Sequence, residues 1–158
     1  MSDDPAPPPG SPERPPVSAH PAHLGWRLIA IVYDLLPLMA LWFVTSLAIY
    51  LLDGQKEVQP GSLGARVELA VLWLVTGAYF VLSWRRGGHT LGMRAWRLKV
   101  LGADGRPASW KALWIRYAVA GASLLALGLG FVWTLFDPER RSWHDLASRT
   151  RFVRMDRA

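Results

Sequence analysis

Three hydrophobic blocks constrain the fold of this chain more than any other feature of its sequence. Residues 35–52 form a run of 18 residues without a formal charge, residues 69–84 a run of 16 and residues 117–136 a run of 20. A helix needs about 17 to 25 predominantly apolar residues to cross a bilayer core. The middle block reaches that length once Val67 is included and Glu68 lies at the headgroups. The blocks therefore predict a membrane protein.

The tryptophans and the charges support this interpretation. Four of the nine Trp residues lie at or just beyond the ends of the blocks, where the indole ring prefers the membrane interface, although Trp can also fill a large apolar core. The net charge of +6 comes from basic residues that flank the blocks, so we expect membrane lipids as partners and no nucleic acid. The absence of Cys excludes disulfides, thiolate catalysis and Cys-based metal sites.

Three regions follow one another along the chain. Residues 1–23 contain eight Pro and three acidic residues, which predicts a disordered arm. Residues 24–154 form the predicted transmembrane domain, and residues 155–158 a tail. The arm lacks the basic start and the apolar stretch of a secretory signal, so we expect the first hydrophobic helix to be retained.

The first two transmembrane helices are predicted at residues 26–52 and 67–84. Pro37 lies inside the first, where a proline predicts a kink and leaves the carbonyl of Tyr33 without its helical hydrogen bond. The segment 85–111 contains seven basic residues and one acid. By the positive-inside rule this segment and the amino terminus are cytoplasmic, and the loop 53–66 is external.

The third hydrophobic block permits two topologies. Residues 95–101 alternate like a strand, residues 103–107 have the composition of a tight turn, and residues 150–154 alternate again. These segments can pair only if both ends of the block lie on one side of the membrane. The predicted fold is therefore an all-α membrane protein with two clear transmembrane helices, a third segment that spans or is re-entrant, and a possible small cytoplasmic β element.

Charges inside the hydrophobic helices are the candidate site residues. Arg27 and Asp34 are seven residues apart, which places them within about 20° of one another on a helix. A charge near the bilayer centre costs about 2.5 to 3.5 kcal/mol on insertion scales, so such residues usually find partners inside the protein. Arg116 is the predicted partner of Asp34. The pair either locks two helices together or forms a substrate or ion site.

The remaining polar clusters indicate little chemistry. Residues 137–145 contain acidic groups and His144, but their spacing matches no compact metal-ligand set, and His144 is expected at the surface or at the headgroups. The glycine-rich residues 87–92 lack the context of a phosphate-binding loop and are expected to be a flexible lead into the strand. No catalytic constellation stands out, so we expect no enzyme, no metal and no cofactor.

Three motifs in this order resemble the RDD family of small bacterial membrane proteins, which is named for one arginine and two aspartates. They are Arg27-Leu28-Ile29-Ala30 with Tyr33-Asp34, then Gly88-His89-Thr90-Leu91-Gly92-Met93-Arg94 continuing to Trp96-Arg97-Leu98-Lys99-Val100 and Asp104-Gly105, and finally Leu135-Phe136-Asp137 with Trp143-His144-Asp145-Leu146-Ala147-Ser148-Arg149-Thr150. The resemblance makes Arg27, Asp34 and Asp145 the residues of the family name. Met93 stands where a basic residue is frequent, and Ser148-Arg149 replaces a more usual Ala-Gly pair.

Two functions follow as expectations from the residues and the resemblance. The first is transport of an ion or small solute through a homo-oligomer in the bacterial cytoplasmic membrane, with Arg27, Tyr33, Asp34, Arg116 and Asp145 at the site. The second is an accessory or assembly protein, whose intramembrane charges serve helix packing and whose basic cytoplasmic face binds a membrane protein partner or lipid.

Overall fold

The computed structural model describes residues 19–54 and 58–155. Six helices and three strands occur in these residues. In chain order they are β1 (Ala19–Pro21), α1 (Leu24–Leu52), α2 (Leu63–Gly87), α3 (Leu91–Ala95), β2 (Leu98–Gly102), α4 (Trp110–Leu125), α5 (Leu129–Val132), a 3-10 turn (Trp133–Leu135), α6 (Trp143–Ser148) and β3 (Thr150–Met155).

Helices α1 and α2 are each long and apolar enough to cross a membrane, with mean hydropathies of 2.1 and 1.7. They confirm the two predicted transmembrane helices, and α1 continues through Pro37 without a break. Helix α2 begins where the Ser62 hydroxyl accepts the Ala65 N–H, and it ends at Gly88, whose φ of 74° is the left-handed conformation that glycine tolerates best. The Trp42 indole donates to Thr76, a polar contact between two largely apolar helices.

Helix α3 replaces the predicted flexible lead into the strand. The Thr90 hydroxyl caps it by accepting the Met93 N–H, and Gly92 packs against α1 so closely that an added Cβ would lie 2.2 Å from the Ala30 carbonyl oxygen. The predicted strand at residues 95–101 was therefore wrong at its start. Because Arg97 has a φ of 56°, the extended conformation begins only at Leu98.

The three strands form one antiparallel sheet in the order β1-β3-β2. Strands β2 and β3 pair with Val100 opposite Phe152, which confirms that the two alternating segments meet. Strand β1 was not predicted, because it lies inside the segment assigned to a disordered arm, yet it pairs with β3 from Ala19 opposite Met155. The remainder of the predicted arm, residues 1–18, lies outside the described residues, as do residues 156–158 of the predicted tail.

The third hydrophobic block bends by 109° between α4 and the segment from Leu129 to Leu135. Gly128 adopts the left-handed conformation, with a φ of 78°, at the start of that second arm. Strand β2 precedes the block and β3 follows it, and these strands are paired, so both ends of the block lie at the same end of the molecule. A bent helix pair of this kind is either a broken span or a re-entrant segment, and the strand pairing favours the re-entrant topology of the two that were predicted.

The buried core lies where the sheet meets the helix ends rather than between the long helices. Its largest members come from both parts: Val81, Trp84, Met93, Leu98, Val100, Leu113, Tyr117 and Phe152. By contrast, only 6% of the most apolar window of α1 is buried inside the protein. The exposed apolar surface of α1 suits contact with lipid, which needs no packed protein neighbour.

The re-entrant topology predicts the sides on which three new thiols react. The chain contains no Cys, so single substitutions can be labelled without background. Asp104→Cys and Arg151→Cys should react from the same side of the membrane, because β2 and β3 are paired, and Gln59→Cys from the opposite side. A membrane-impermeant maleimide applied to intact cells and to inverted vesicles measures this. Reaction of the thiols at 104 and 151 from opposite sides would contradict the re-entrant topology.

Candidate functional site

One narrow stripe of α1 faces the protein interior. Its buried residues are Arg27, Ala30, Asp34 and Leu38, spaced at three and four residues as one helix face requires. Arg27 and Asp34 are only 3% and 2% exposed, and the prediction that they share a buried face is confirmed. They nevertheless belong to two separate polar clusters.

Arg27 joins α1 to the residue just after β1 and to the distant segment 140–145. Its Nε donates to the Ala22 carbonyl at 3.4 Å, just beyond β1, and its Nη2 donates to the Arg140 carbonyl at 3.0 Å. Its Nη1 donates to Ser142 Oγ at 3.1 Å and to Asp145 Oδ2 at 2.6 Å. Every nitrogen of this guanidinium therefore has an acceptor within the protein.

Asp145 is bound by a second guanidinium on its other oxygen. Arg116 Nη1 of α4 donates to Asp145 Oδ1 at 2.5 Å and to Thr150 Oγ1 at 2.6 Å. Asp145 Oδ2 also accepts the Ser142 backbone N–H at 2.9 Å and the Ser142 hydroxyl at 2.7 Å, at the start of α6. We call Arg27, Arg116 and Asp145 the arginine cluster. It fastens α1, α4 and α6 to one another.

The arginine cluster contains two positive charges and one negative charge. Aromatic rings pack against both guanidinium groups and stabilise the excess positive charge. The Arg27 guanidinium lies 4.5 Å from the centroid of the Phe152 ring, and that of Arg116 lies 5.3 Å from the centroid of the Trp84 ring. The face of an aromatic ring attracts a cation, more strongly where water is excluded.

The neighbouring arginines and the burial of α6 set the charge states of Asp145 and His144. Burial alone would raise the pKa of the Asp145 carboxyl, but the charges of Arg116 and Arg27 outweigh burial and hold that pKa well below its usual range. Burial, assisted by the charge of Arg116, lowers the pKa of His144 to about 3. His144 is therefore a neutral buried ring, bonded through Nε2 to Ser142 Oγ at 2.7 Å, and not the surface group that was predicted.

Asp34 forms the second cluster with neutral donors only. The Tyr79 hydroxyl of α2 donates to Asp34 Oδ1 at 2.8 Å, the Gly92 N–H of α3 donates to the same oxygen at 2.9 Å, and the Thr90 hydroxyl donates to Oδ2. Within the described part of the chain Asp34 has no ion pair. We call Asp34, Tyr79, Thr90 and Gly92 the aspartate pocket.

The predicted pairing of Asp34 with Arg116 was therefore wrong. The prediction relied on similar depth in the membrane, but the re-entrant block returns Asp145 to the same depth and that carboxylate pairs with Arg116 instead. Tyr33, also a predicted site residue, is half exposed, and its ring packs edge-on against Trp96 at a centroid distance of 5.9 Å. The structure thus brings Arg27, Arg116 and Asp145 together and leaves Tyr33 outside both clusters.

Sequence reasoning missed the neutral side chains that bond to the charged residues of both clusters. Tyr79 was the detectable one, because a hydroxyl inside a hydrophobic block needs a partner. Thr90, Ser142 and Thr150 carried no such signal, since each lies in a short polar segment where hydroxyls are common. Among residues 19–54 and 58–155 no group of three or more His, Asp or Glu side chains is placed to hold a metal ion.

A family model described as RDD family matches residues 21–149, most of the chain. The chain belongs to the RDD family. Comparison with curated proteins and with solved structures finds no match. The three residues of the RDD name are therefore divided here: Arg27 and Asp145 form an ion pair, whereas Asp34 lies in a pocket of its own.

The arginine cluster predicts a large loss of stability when its carboxylate is neutralised. Asp145→Asn leaves two buried guanidinium groups without a counter-charge, so the free energy of unfolding should fall by about 3 to 5 kcal/mol. Chemical unfolding in a mild detergent, followed by tryptophan fluorescence, measures it. Asp104→Asn is the matched control, because that exposed carboxylate accepts the Arg106 N–H and has no ion pair among the described residues, and it should change stability by about 0.5 kcal/mol or less. Equal effects of the two substitutions would contradict the cluster.

His144 predicts a fall in stability on mild acidification. The unfolded ring binds a proton near its ordinary pKa of 6.5, whereas the folded ring stays neutral down to about pH 3. This contribution is complete above about pH 6.5 and is lost as pH falls toward 3, at up to roughly 1.4 kcal/mol per pH unit. Unfolding measured from pH 7 to 4.5 should show this slope, and His144→Gln should flatten it. An unchanged slope in the variant would show that other groups cause it.

Proposed function

We propose that this RDD protein transports an ion through an oligomer, with the Asp34 carboxylate binding a proton or a small cation. The observation that carries the proposal is that Asp34 is a buried carboxylate of a membrane-crossing helix whose partners are all neutral. Ionisable residues inside membranes are costly, and they commonly mark ion pathways or proton relays. The arginine cluster joins α1, α4 and α6, whereas Asp34 contacts α2 and the start of α3, so packing of α2 and α3 against α1 is the competing role of Asp34.

The chemistry of the aspartate pocket supports exchange of its occupant. The Tyr79 and Thr90 hydroxyls donate to Asp34, but a hydroxyl can rotate and accept as well. A cation beside Asp34 therefore meets three side chains that carry oxygen, which are the ligands that hard cations prefer. A guanidinium only donates, so the Asp145 carboxylate, held by two of them, is not available in this way.

An oligomer is part of the proposal because the transmembrane helices of one copy are too few to enclose an ion pathway. Residues 19–54 and 58–155 contain two helices able to cross the membrane, and the bent pair is counted as a third only if it is one span. The apolar surface of α1 offers an area for contact between copies, and Val32, Leu36 and Phe43 on it are each more than 60% exposed.

The proposed location is the bacterial cytoplasmic membrane, with the amino terminus and the sheet on the cytoplasmic side. The support is the distribution of charge. Exposed basic residues are concentrated around the end of α2, α3 and the sheet: Arg85, Arg86, Arg94, Arg97, Arg106, Lys111, Arg151 and Arg154. Short cytoplasmic loops of membrane proteins carry such an excess of Lys and Arg.

An accessory or assembly role is the second candidate, and the arginine cluster favours it. The charges of that cluster pair with one another inside the protein, and the basic sheet end is suited to a protein partner or to lipid. If Asp34 also serves packing, its neutralisation lowers the stability of the fold and no ion flux depends on it.

Asp34→Asn separates the two candidates. Under the transport proposal, ion flux into proteoliposomes should fall to the level of protein-free vesicles, because the binding charge is lost while the fold remains. Proton flux is followed with a trapped pH-sensitive dye under imposed gradients of Na⁺, Li⁺ or K⁺. Unfolding of the same variant in detergent reports whether its fold is intact.

Glu68→Gln is the matched control, since it neutralises the half-buried carboxylate near the start of α2 and leaves the aspartate pocket unchanged. It should retain the flux. Tyr79→Phe removes one donor but keeps the charge, so it should retain flux with an altered apparent affinity. A wild-type protein that moves none of these ions, with an Asp34→Asn variant that only loses stability, would overturn transport and favour the accessory role.

A further inference from the structure

A second concave site lies at the sheet end, on the side of α1 that carries Trp26. It is a cavity of about 640 Å³ between β1, the first turn of α1, the link from α3 to β2, and the end of β3. This volume falls within the range of about 300 to 1,000 Å³ that small-molecule sites occupy. Neither the arginine cluster nor the aspartate pocket contributes a side chain to its lining.

The lining of this cavity is basic. Arg97 and Arg154 both contribute, and no acidic side chain occurs among the described residues that line it. Neither arginine has an ion pair within the described residues. Arg140, whose guanidinium contacts the ring of the lining residue His23, adds a third positive charge at the edge. The cavity is therefore suited to an anion.

Two indole rings form the apolar wall. Trp26 and Trp96 lie with their centroids 5.0 Å apart, and the Arg154 guanidinium covers the Trp26 ring at 4.1 Å from its centroid. The Trp96 Nε1–H is enclosed by the protein, so this wall offers the cavity the faces and edges of the rings and not that N–H.

The length of α1 predicts that the cavity lies at the level of the lipid headgroups. Helix α1 has 29 residues and is about 43 Å long, which exceeds a bilayer core of about 30 Å by several ångströms at each end. Trp26 is its third residue and so belongs to the end that projects from the core. Tyr33 packs on Trp96 from further along the helix, so the wall of the cavity extends toward the hydrocarbon.

We propose that this cavity binds the phosphate-bearing headgroup of one anionic phospholipid. Arg97 and Arg154 attract the negative charge, and the indole rings of Trp26 and Trp96 contact the glycerol and upper acyl region. Trp at the interface and basic residues near anionic headgroups both favour this occupant over a protein segment. This inference does not depend on ion binding at Asp34. If the protein has the accessory role, the cavity is the place where its basic sheet end binds lipid.

Lipid titration of the purified full-length chain tests the site. Native mass spectrometry counts bound lipid in an uncharged detergent, with phosphatidylglycerol as the anionic lipid and phosphatidylcholine as the zwitterionic one. One phosphatidylglycerol should bind in preference to phosphatidylcholine. Arg97→Asn should weaken it about fivefold, the factor that corresponds to about 1 kcal/mol for one basic residue near an anionic membrane surface. Asn suits this position because it tolerates the left-handed backbone of Arg97.

Three further arms complete the test. Trp26→Leu removes one ring of the apolar wall, so it should weaken both lipids, which share the glycerol and acyl region. Arg106→Asn is the matched control, since that exposed arginine lies in the turn after β2 and outside the cavity, and it should change nothing. Inorganic phosphate at millimolar concentration should fail to displace the lipid.

The proposal is overturned if Arg97→Asn binds phosphatidylglycerol as the wild type does, or if Arg106→Asn weakens it equally, which would indicate diffuse attraction by the basic surface. Displacement by inorganic phosphate would assign the cavity to a free anion instead. Ion flux through Arg97→Asn proteoliposomes should equal that of the wild type. Arg97→Asn should lose lipid binding and retain ion flux, whereas Asp34→Asn should lose ion flux and retain lipid binding. Because each variant changes one readout, failure of this inference can be distinguished from failure of the transport proposal.

Discussion

The carboxylate of Asp145, held between two guanidinium groups, is the interaction on which the rest of the fold depends. Arg27 is fixed to α1 and Arg116 to α4, so each brings a buried positive charge that one residue of α6 must compensate. Helix α6 has only six residues, too few to be stable alone in water. Its position is set by the ion pairs and by Ser142, and β3 follows it directly. The ion pairs therefore place the strand that joins β1 and β2.

The same interaction explains why the third hydrophobic block turns back. A block of this length is able to cross a bilayer, and nothing in its hydropathy opposes that. Crossing would place Asp145 on the far side from Arg27 and leave two buried arginines without a counter-charge. It would also separate β3 from β2, whose Val100 and Phe152 share the core. The bend at Gly128 permits the return, and the charges at the two ends of the block require it.

The sequence was sufficient for the features that repeat along the chain. Uncharged blocks predicted α1 and α2, and alternation with a turn between predicted that β2 and β3 can pair. The sequence did not predict the short elements β1 and α3. Strand β1 has three residues in a proline-rich segment and α3 has five, which are too few to show a repeating pattern. The partner of Arg116 also escaped prediction. Asp34 and Asp145 are equivalent as partners until the topology of the third block is known, and hydropathy alone does not determine that topology.

The two clusters also act on each other through their charges. Arg27 and Asp34 are seven residues apart on α1, or about 10 Å along the helix axis, so an excess of one positive charge faces one negative charge across that distance. With an effective dielectric constant of about 20, their attraction is on the order of 1 to 2 kcal/mol. Under the transport proposal, a monovalent metal cation that binds Asp34 neutralises it and forfeits this attraction, which weakens binding by roughly tenfold. The proposed site must release its cation as well as bind it, and the fixed arginine cluster favours that release without contacting the cation.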